Sequence, residues 1–127
     1  MKSGDTLLID EPGTSYDSHL WIVISDMDED PHFALIVNMT TWRDVKDQAC
    51  ILDVGDHPYV KHKTCINYAK AKHLPAVPLD DWIATGKIKN LEPVSDALLK
   101  RIRDSAENSK GMEIGIWQVL ENQNLVS

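Results

Sequence analysis

Leu20-Trp21-Ile22-Val23-Ile24 is an unbroken apolar run rich in β-branched side chains. At that length it reads as a buried strand rather than a helix. Similar segments surround it. Thr6 to Ile9 is a short apolar strand candidate, and Phe33 to Met39 is the next strand. Cys50 to Val54 reads as a strand that stops at Gly55-Asp56-His57-Pro58, and Thr64 to Ala69 alternates as a half-buried strand should. Between them, Glu11-Pro12-Gly13-Thr14-Ser15 is a loop from its Pro-Gly turn signal, and Asp26 to His32 is an acidic connector containing Pro31. Trp42 to Gln48 is polar, a loop or a short helical turn.

The second half changes character. Leu79 to Gly86 predicts a short helix capped by Asp80 and stopped by Gly86. Ser95 to Asn108 is the clearest helix: Ser95 suits the N-cap, Asp96 suits the positive end of the helix dipole, and Leu98, Leu99, Ile102 and Ala106 form one apolar face. Met112, Ile116, Val119 and Leu120 fit a terminal helix, which Gly115 weakens. Strands first and helices last predict an α+β chain or a small barrel with helical decoration, in one domain over 1–127. The barrel would cover roughly 4–78 and the helical part roughly 79–121.

Charge and cysteine content narrow the function. The formal net charge of -7 argues against non-specific binding to long nucleic acid. A local cationic cleft is still compatible with it, because Lys61, His62, Lys63, Lys70, Lys72 and His73 lie close in sequence, apart from the acids at 26–30 and 44–56. No apolar run approaches the roughly 20 residues of a membrane span, so no membrane association is expected. Met1-Lys2-Ser3-Gly4-Asp5 has no apolar signal-peptide core, and with two cysteines, Cys50 and Cys65, this predicts a reduced, cytoplasmic protein. Cys50, His57, His62, Cys65 and His73 match no zinc spacing. Asp26, Asp28, Glu29 and Asp30 lack the glycine and terminal glutamate of a calcium loop. Neither a metal nor a cofactor is expected.

The order of the strands carries a resemblance. Gly4-Asp5-Thr6-Leu7-Leu8-Ile9-Asp10, Ser18-His19-Leu20-Trp21-Ile22-Val23-Ile24-Ser25 and Leu35-Ile36-Val37-Asn38-Met39-Thr40-Thr41 resemble the first three strands of the MazF/PemK-type toxins of bacterial toxin-antitoxin modules. The helix at Ser95 resembles that family's C-terminal helix. The resemblance covers roughly the first 45 residues and the helix near 95–108. It implies a mainly β fold, an SH3-like β-barrel with C-terminal helices, forming a homodimer. It also implies a metal-independent endoribonuclease that cleaves single-stranded RNA and is neutralised by a cognate antitoxin protein. The family's catalytic arginine and its threonine or serine fall on His19 and on Thr40 or Thr41. His19 stands where an Arg-Pro pair is expected, and the segment from His57 to Tyr68 is not typical of the family.

The residues themselves suit that chemistry. Metal-independent RNA cleavage activates a ribose 2′-hydroxyl, stabilises phosphorane charge and protonates the leaving oxygen. Histidine as a residue type serves the proton steps, and His19, His57 and His62 are candidates. Arg43, Lys61 and Lys63 supply cations, and Thr40 and Thr41 supply hydroxyls for a phosphate oxygen. Trp42 and Tyr68 are candidates for base stacking, Tyr68 being also a natural core residue. The alternative is a non-catalytic RNA- or protein-binding module on the same barrel, a degenerate toxin, which the acidic charge and the missing Arg-Pro favour.

Overall fold

The computed structural model of the protein describes residues 1–10, 18–43 and 47–126. The expected loop at Glu11–Ser15, and residues 44–46 of the expected loop at Trp42–Gln48, lie outside the described residues. The chain runs β1 (Thr6–Asp10), β2 (Ser18–Val23), β3 (Phe33–Thr41), β4 (Ile51–Leu52), β5 (Thr64–Pro75), α1 (Ala76–Ala84), β6 (Lys89–Leu91), α2 (Asp96–Ser105), a 3₁₀ turn (Ala106–Asn108) and α3 (Ile114–Asn122). The six strands form one antiparallel sheet in the order β4-β5-β3-β2-β1-β6. It is curled like half a barrel. His57, beyond β4 at one edge, reaches Glu92, beyond β6 at the other, and its Nε2 donates to that carbonyl at 2.6 Å.

Side chains alternate between the faces of a strand, so β2 and β3 divide their residues between two cores. Leu20, Ile22, Leu35, Val37 and Met39 pack with Leu98, Leu99 and Ile102 of α2 and Leu120 of α3. Trp21, Val23, Ala34 and Ile36 pack with Ala76 and Leu79 of α1 and with Ile88. Both faces of these central strands are covered, which is why the run Leu20–Ile24 is apolar throughout rather than alternating.

Several elements differ from the sequence-based expectation, each for a visible reason. The strand expected over Cys50–Val54 is only Ile51–Leu52, because the Asp56 carboxylate accepts from the Asp53 amide at 2.8 Å and turns the chain, with Gly55 at φ 105°. β5 continues six residues beyond Ala69 to Pro75, because the start of β3 pairs with it from Phe33↔Pro75 to Ile36↔Lys72. The helix expected from Leu79 starts at Ala76, directly after Pro75. Pro78 is accommodated because it lies in the first turn, where amides have no intrahelical acceptor. Asp80 is therefore not a cap, and its carboxylate pairs with the N-terminal ammonium at 3.2 Å. The helix does stop just before Gly86: it ends at Ala84, Thr85 is the C-cap, and Gly86 follows at φ 81°. β6 comes after α1, so strands do not all precede helices. It is three residues, Lys-Asn-Leu, with little strand propensity of its own, held by pairing with Thr6–Leu8.

The expected helix at Ser95 is present. Ser95 Oγ accepts from the Leu98 amide at 3.1 Å, and Leu98, Leu99 and Ile102 are buried. Its regular part ends at Ser105 and tightens into the 3₁₀ turn. Among the described residues no helix is long and apolar enough to cross a membrane.

Candidate functional site at one end of the sheet

β2 begins where β3 ends, and β5 begins opposite the end of β3 (Thr41↔Thr64). The residues at these three termini therefore share one end of the sheet. His19, Thr40, Thr41, Trp42, Arg43, His62 and Lys63 all belong to it.

Alternation then decides which of them share a face. Trp21 and Ile36 point into the core against α1, and Trp21 stands opposite Asn38. His19, two residues before Trp21, and Thr40, two residues after Asn38, lie on that same face of adjacent strands. Ile9, paired with His19, also packs against that core. Thr41 falls on the opposite face. The His19 ring is half-buried, and its Nδ1 donates to the Met39 carbonyl at 3.3 Å. That bond sets the tautomer, leaving Nε2 as the nitrogen with a lone pair. Thr40 is likewise half-buried.

Beside this pair, the Trp42 amide donates to the Lys63 carbonyl at 3.1 Å, and the Lys63 ammonium stands 4.0 Å from the Trp42 ring centroid. This is a cation–π contact that fixes one positive charge at the sheet end. Arg43 and His62 are exposed, and His62 Nδ1 donates to the Lys63 carbonyl at 3.1 Å. The arrangement combines an imidazole, a hydroxyl, an aromatic ring and cations on a β-surface. Such a set can take a proton from one substrate oxygen and neutralise charge on another.

Besides Thr41, three sequence-predicted residues do not join it. Tyr68 is corrected from a base-stacking candidate to a core residue. It is 1% exposed, its hydroxyl donates to the Ile102 carbonyl at 2.6 Å, and burial pushes the phenol far above its usual range. His57 is 4% exposed with both ring nitrogens occupied, Nε2 by Glu92 and Nδ1 by the Tyr59 amide at 3.1 Å. It ties the β4–β5 connection to the far edge of the sheet and has no nitrogen left for a substrate proton. Lys61 lines a shallow depression with His57, Tyr59 and Glu92, a lining that His19 and Thr40 do not share.

Sequence reasoning passed over Asn38 and Trp21. Asn38 is 2% exposed, and among the described residues neither its Oδ1 nor the Nε1 of Trp21 has a hydrogen-bond partner. Trp42 Nε1 is a third such atom. The signal for Asn38 was present as the one amide inside the apolar run Leu35–Met39.

Cys50 and Cys65 form no disulfide, and both are buried. Burial raises the Cys50 thiol pKa, against hydrogen bonding from Ser105 and Arg101. Among the described residues no group of three or more His, Cys, Asp or Glu side chains is placed to hold a metal ion. No protein-family model matches the chain, and no curated protein matches it at a significant level.

Proposed function

We propose that this chain is a metal-independent endoribonuclease of the MazF/PemK type, cleaving single-stranded RNA at the sheet end that carries His19 and Thr40. The observation that carries the reading is the placement of His19 and Thr40 on one face of adjacent strands, with the His19 tautomer set by Met39. In this reading His19 Nε2 takes the proton of a ribose 2′-hydroxyl. The 2′-oxygen bonds to phosphorus as the bond from phosphorus to the 5′-oxygen breaks. Thr40 donates to a non-bridging oxygen, Lys63 and Arg43 balance the developing charge, and His62 returns a proton to the leaving oxygen. The product is a 2′,3′-cyclic phosphate and a 5′-hydroxyl.

The curled sheet with helices packed after it supports reading the fold as an SH3-like barrel of that family. The same reading makes the protein a cytoplasmic homodimer restrained by a cognate antitoxin. Apolar side chains left exposed on the single chain, Phe33, Val77, Trp82 and Ile114 among them, are consistent with a second copy or another partner covering part of the surface. The non-catalytic reading draws on the loss of His57 from the site, which leaves fewer groups for proton transfer.

The test is incubation of the purified protein with single-stranded RNA in the presence of EDTA. Fragments ending in 2′,3′-cyclic phosphate support the nuclease. RNA retained by the protein but left intact supports the binding module. Cleavage that stops in EDTA and returns with a divalent ion defeats the mechanism.

A further inference from the structure

A second concavity opens on the same face of the sheet, between the strands and α1, with a volume of about 730 Å³. Its size falls among those of small-ligand sites, roughly 300–1,000 Å³. Aliphatic side chains from β1, β3, β5 and α1 make its floor. Trp21 and Trp82 contribute rings, and Lys70, Lys72, Lys87 and Asp10 contribute charge.

The lysines converge here through an irregularity in β5. Between the pairs Ile36↔Lys72 and Asn38↔Asn67, β5 uses three residues more than β3. The odd number reverses the alternation. Tyr68 faces the core under α2, whereas Lys70 and Lys72 face the groove. The Lys72 ammonium lies 5.5 Å from the Trp21 ring centroid. Among the described residues none of the three lysines has an ion-pair partner. In a chain of net charge -7, the described lining holds three ammoniums against one carboxylate, a local reversal of sign.

Trp21 supplies the independent observation. It is 3% exposed, lines the groove, and among the described residues its Nε1–H has no hydrogen-bond acceptor. A buried indole N–H ordinarily has one, and leaving it without costs about 1–3 kcal/mol. The N–H lies beneath the groove surface, so a ligand reaches it only where the groove wall opens to admit the acceptor.

We infer that this groove binds a mononucleotide. Among the described lining residues, three lysines less one aspartate leave a charge of about +2, matched to a phosphate monoester at about −1.5 to −2 near neutral pH. The tryptophans and the aliphatic floor suit a planar base, and Asp10 offers an acceptor to a ribose hydroxyl or an exocyclic amine. The groove adjoins His19 through Ile9, its pairing partner on β1, but the lysines and Trp21 take no part in the chemistry proposed for His19, and neither reading requires the other.

The test is calorimetric titration of the full-length protein with AMP, CMP, GMP and UMP, alongside their nucleosides and inorganic phosphate. The indole N–H signals are followed in parallel by ¹H–¹⁵N correlation spectroscopy. At least one nucleotide binds saturably, shifts the Trp21 indole signal, and binds on the order of tenfold more tightly than its nucleoside or phosphate alone. Lys70→Gln with Lys72→Gln weakens it at least as much. These side chains are exposed, so folding is retained, and the Trp21 signal in the unaltered protein gives a readout that needs no variant. Three results overturn the proposal: no saturable binding by any of the four nucleotides, equal binding by the nucleoside, or binding unchanged in the double lysine variant.

Discussion

The face of the sheet toward α2 and α3 and the face toward α1 are built from the same strands, in alternate residues, yet they treat polar groups differently. On the α2 side the buried polar side chains have partners: the Tyr68 hydroxyl donates to the Ile102 carbonyl, Thr6 Oγ1 to Glu92 and Thr64 Oγ1 to His62. Toward α1, Trp21 Nε1 and Asn38 Oδ1 are buried without partners, His19 and Thr40 lie half-buried, and lysines line a groove. A buried polar atom without a partner lowers stability, so a face that keeps two of them is organised around something other than stability. The first face satisfies its buried polar groups, and the second leaves two of them open beside the residues proposed for chemistry.

The contrast breaks most readily at Ile102. It is fully buried between α2 and the sheet, and Ile102→Ala is expected to lower unfolding free energy by about 3 kcal/mol. Urea denaturation gives the number, and a loss under about 1 kcal/mol would show that α2 is not an integral part of the core. A smaller effect of the same sign is expected from Tyr68→Phe, about 1 kcal/mol for the hydrogen bond to the helix. On the other face the sign reverses. Asn38→Leu replaces an unsatisfied oxygen with a methyl group of similar shape and is expected to leave stability unchanged or raise it by about 1 kcal/mol. A clear destabilisation there would mean that Asn38 is satisfied after all and that the two faces are alike.

The legible part of the molecule was the part set by local rules. The apolar run at Leu20–Ile24, the Ser95 cap and the stop at Gly86 each depend on residues near them in sequence. The second half of β5 and all of β6 depend on partners far along the chain, Phe33–Ile36 and Thr6–Leu8, and Lys70-Ala71-Lys72-His73 gives no strand signal by itself. The same holds for the site. The shared face of His19 and Thr40 follows from strand alternation once the pairing is known. The burial of His57 could not be read locally, because its acceptor, Glu92, is 35 residues away. The groove depends on the extra residues in β5, which turn lysines from one face to the other and have no signature in composition.

The smallest predicted effect concerns the tie between α2 and the β4 turn. The Arg101 guanidinium donates to Asp56 at 2.9 Å and holds its carboxyl below the usual carboxylate range, against the opposing effect of burial. A carboxyl lowered in the folded state stabilises the protein above its unfolded pKa and loses that contribution as pH falls through the folded value. Both side chains are partly exposed, so Asp56→Asn is expected to cost under about 1 kcal/mol at pH 7. Thermal melts of the two proteins should converge as the pH is lowered below about 3.9. A gap that persists or widens in acid would assign the effect to something other than this ion pair.

The claim that the α1-facing side carries the chemistry is tested most directly at His19. His19→Gln keeps a side-chain donor within reach of Met39 but removes the nitrogen able to exchange a proton. The measurement is the rate of single-stranded RNA cleavage by this variant and by the unaltered protein, both in EDTA, with the fold checked by circular dichroism. The account predicts chelator-insensitive cleavage by the unaltered protein and a loss on the order of 10²-fold or more in the variant. Equal rates from the two proteins would contradict it.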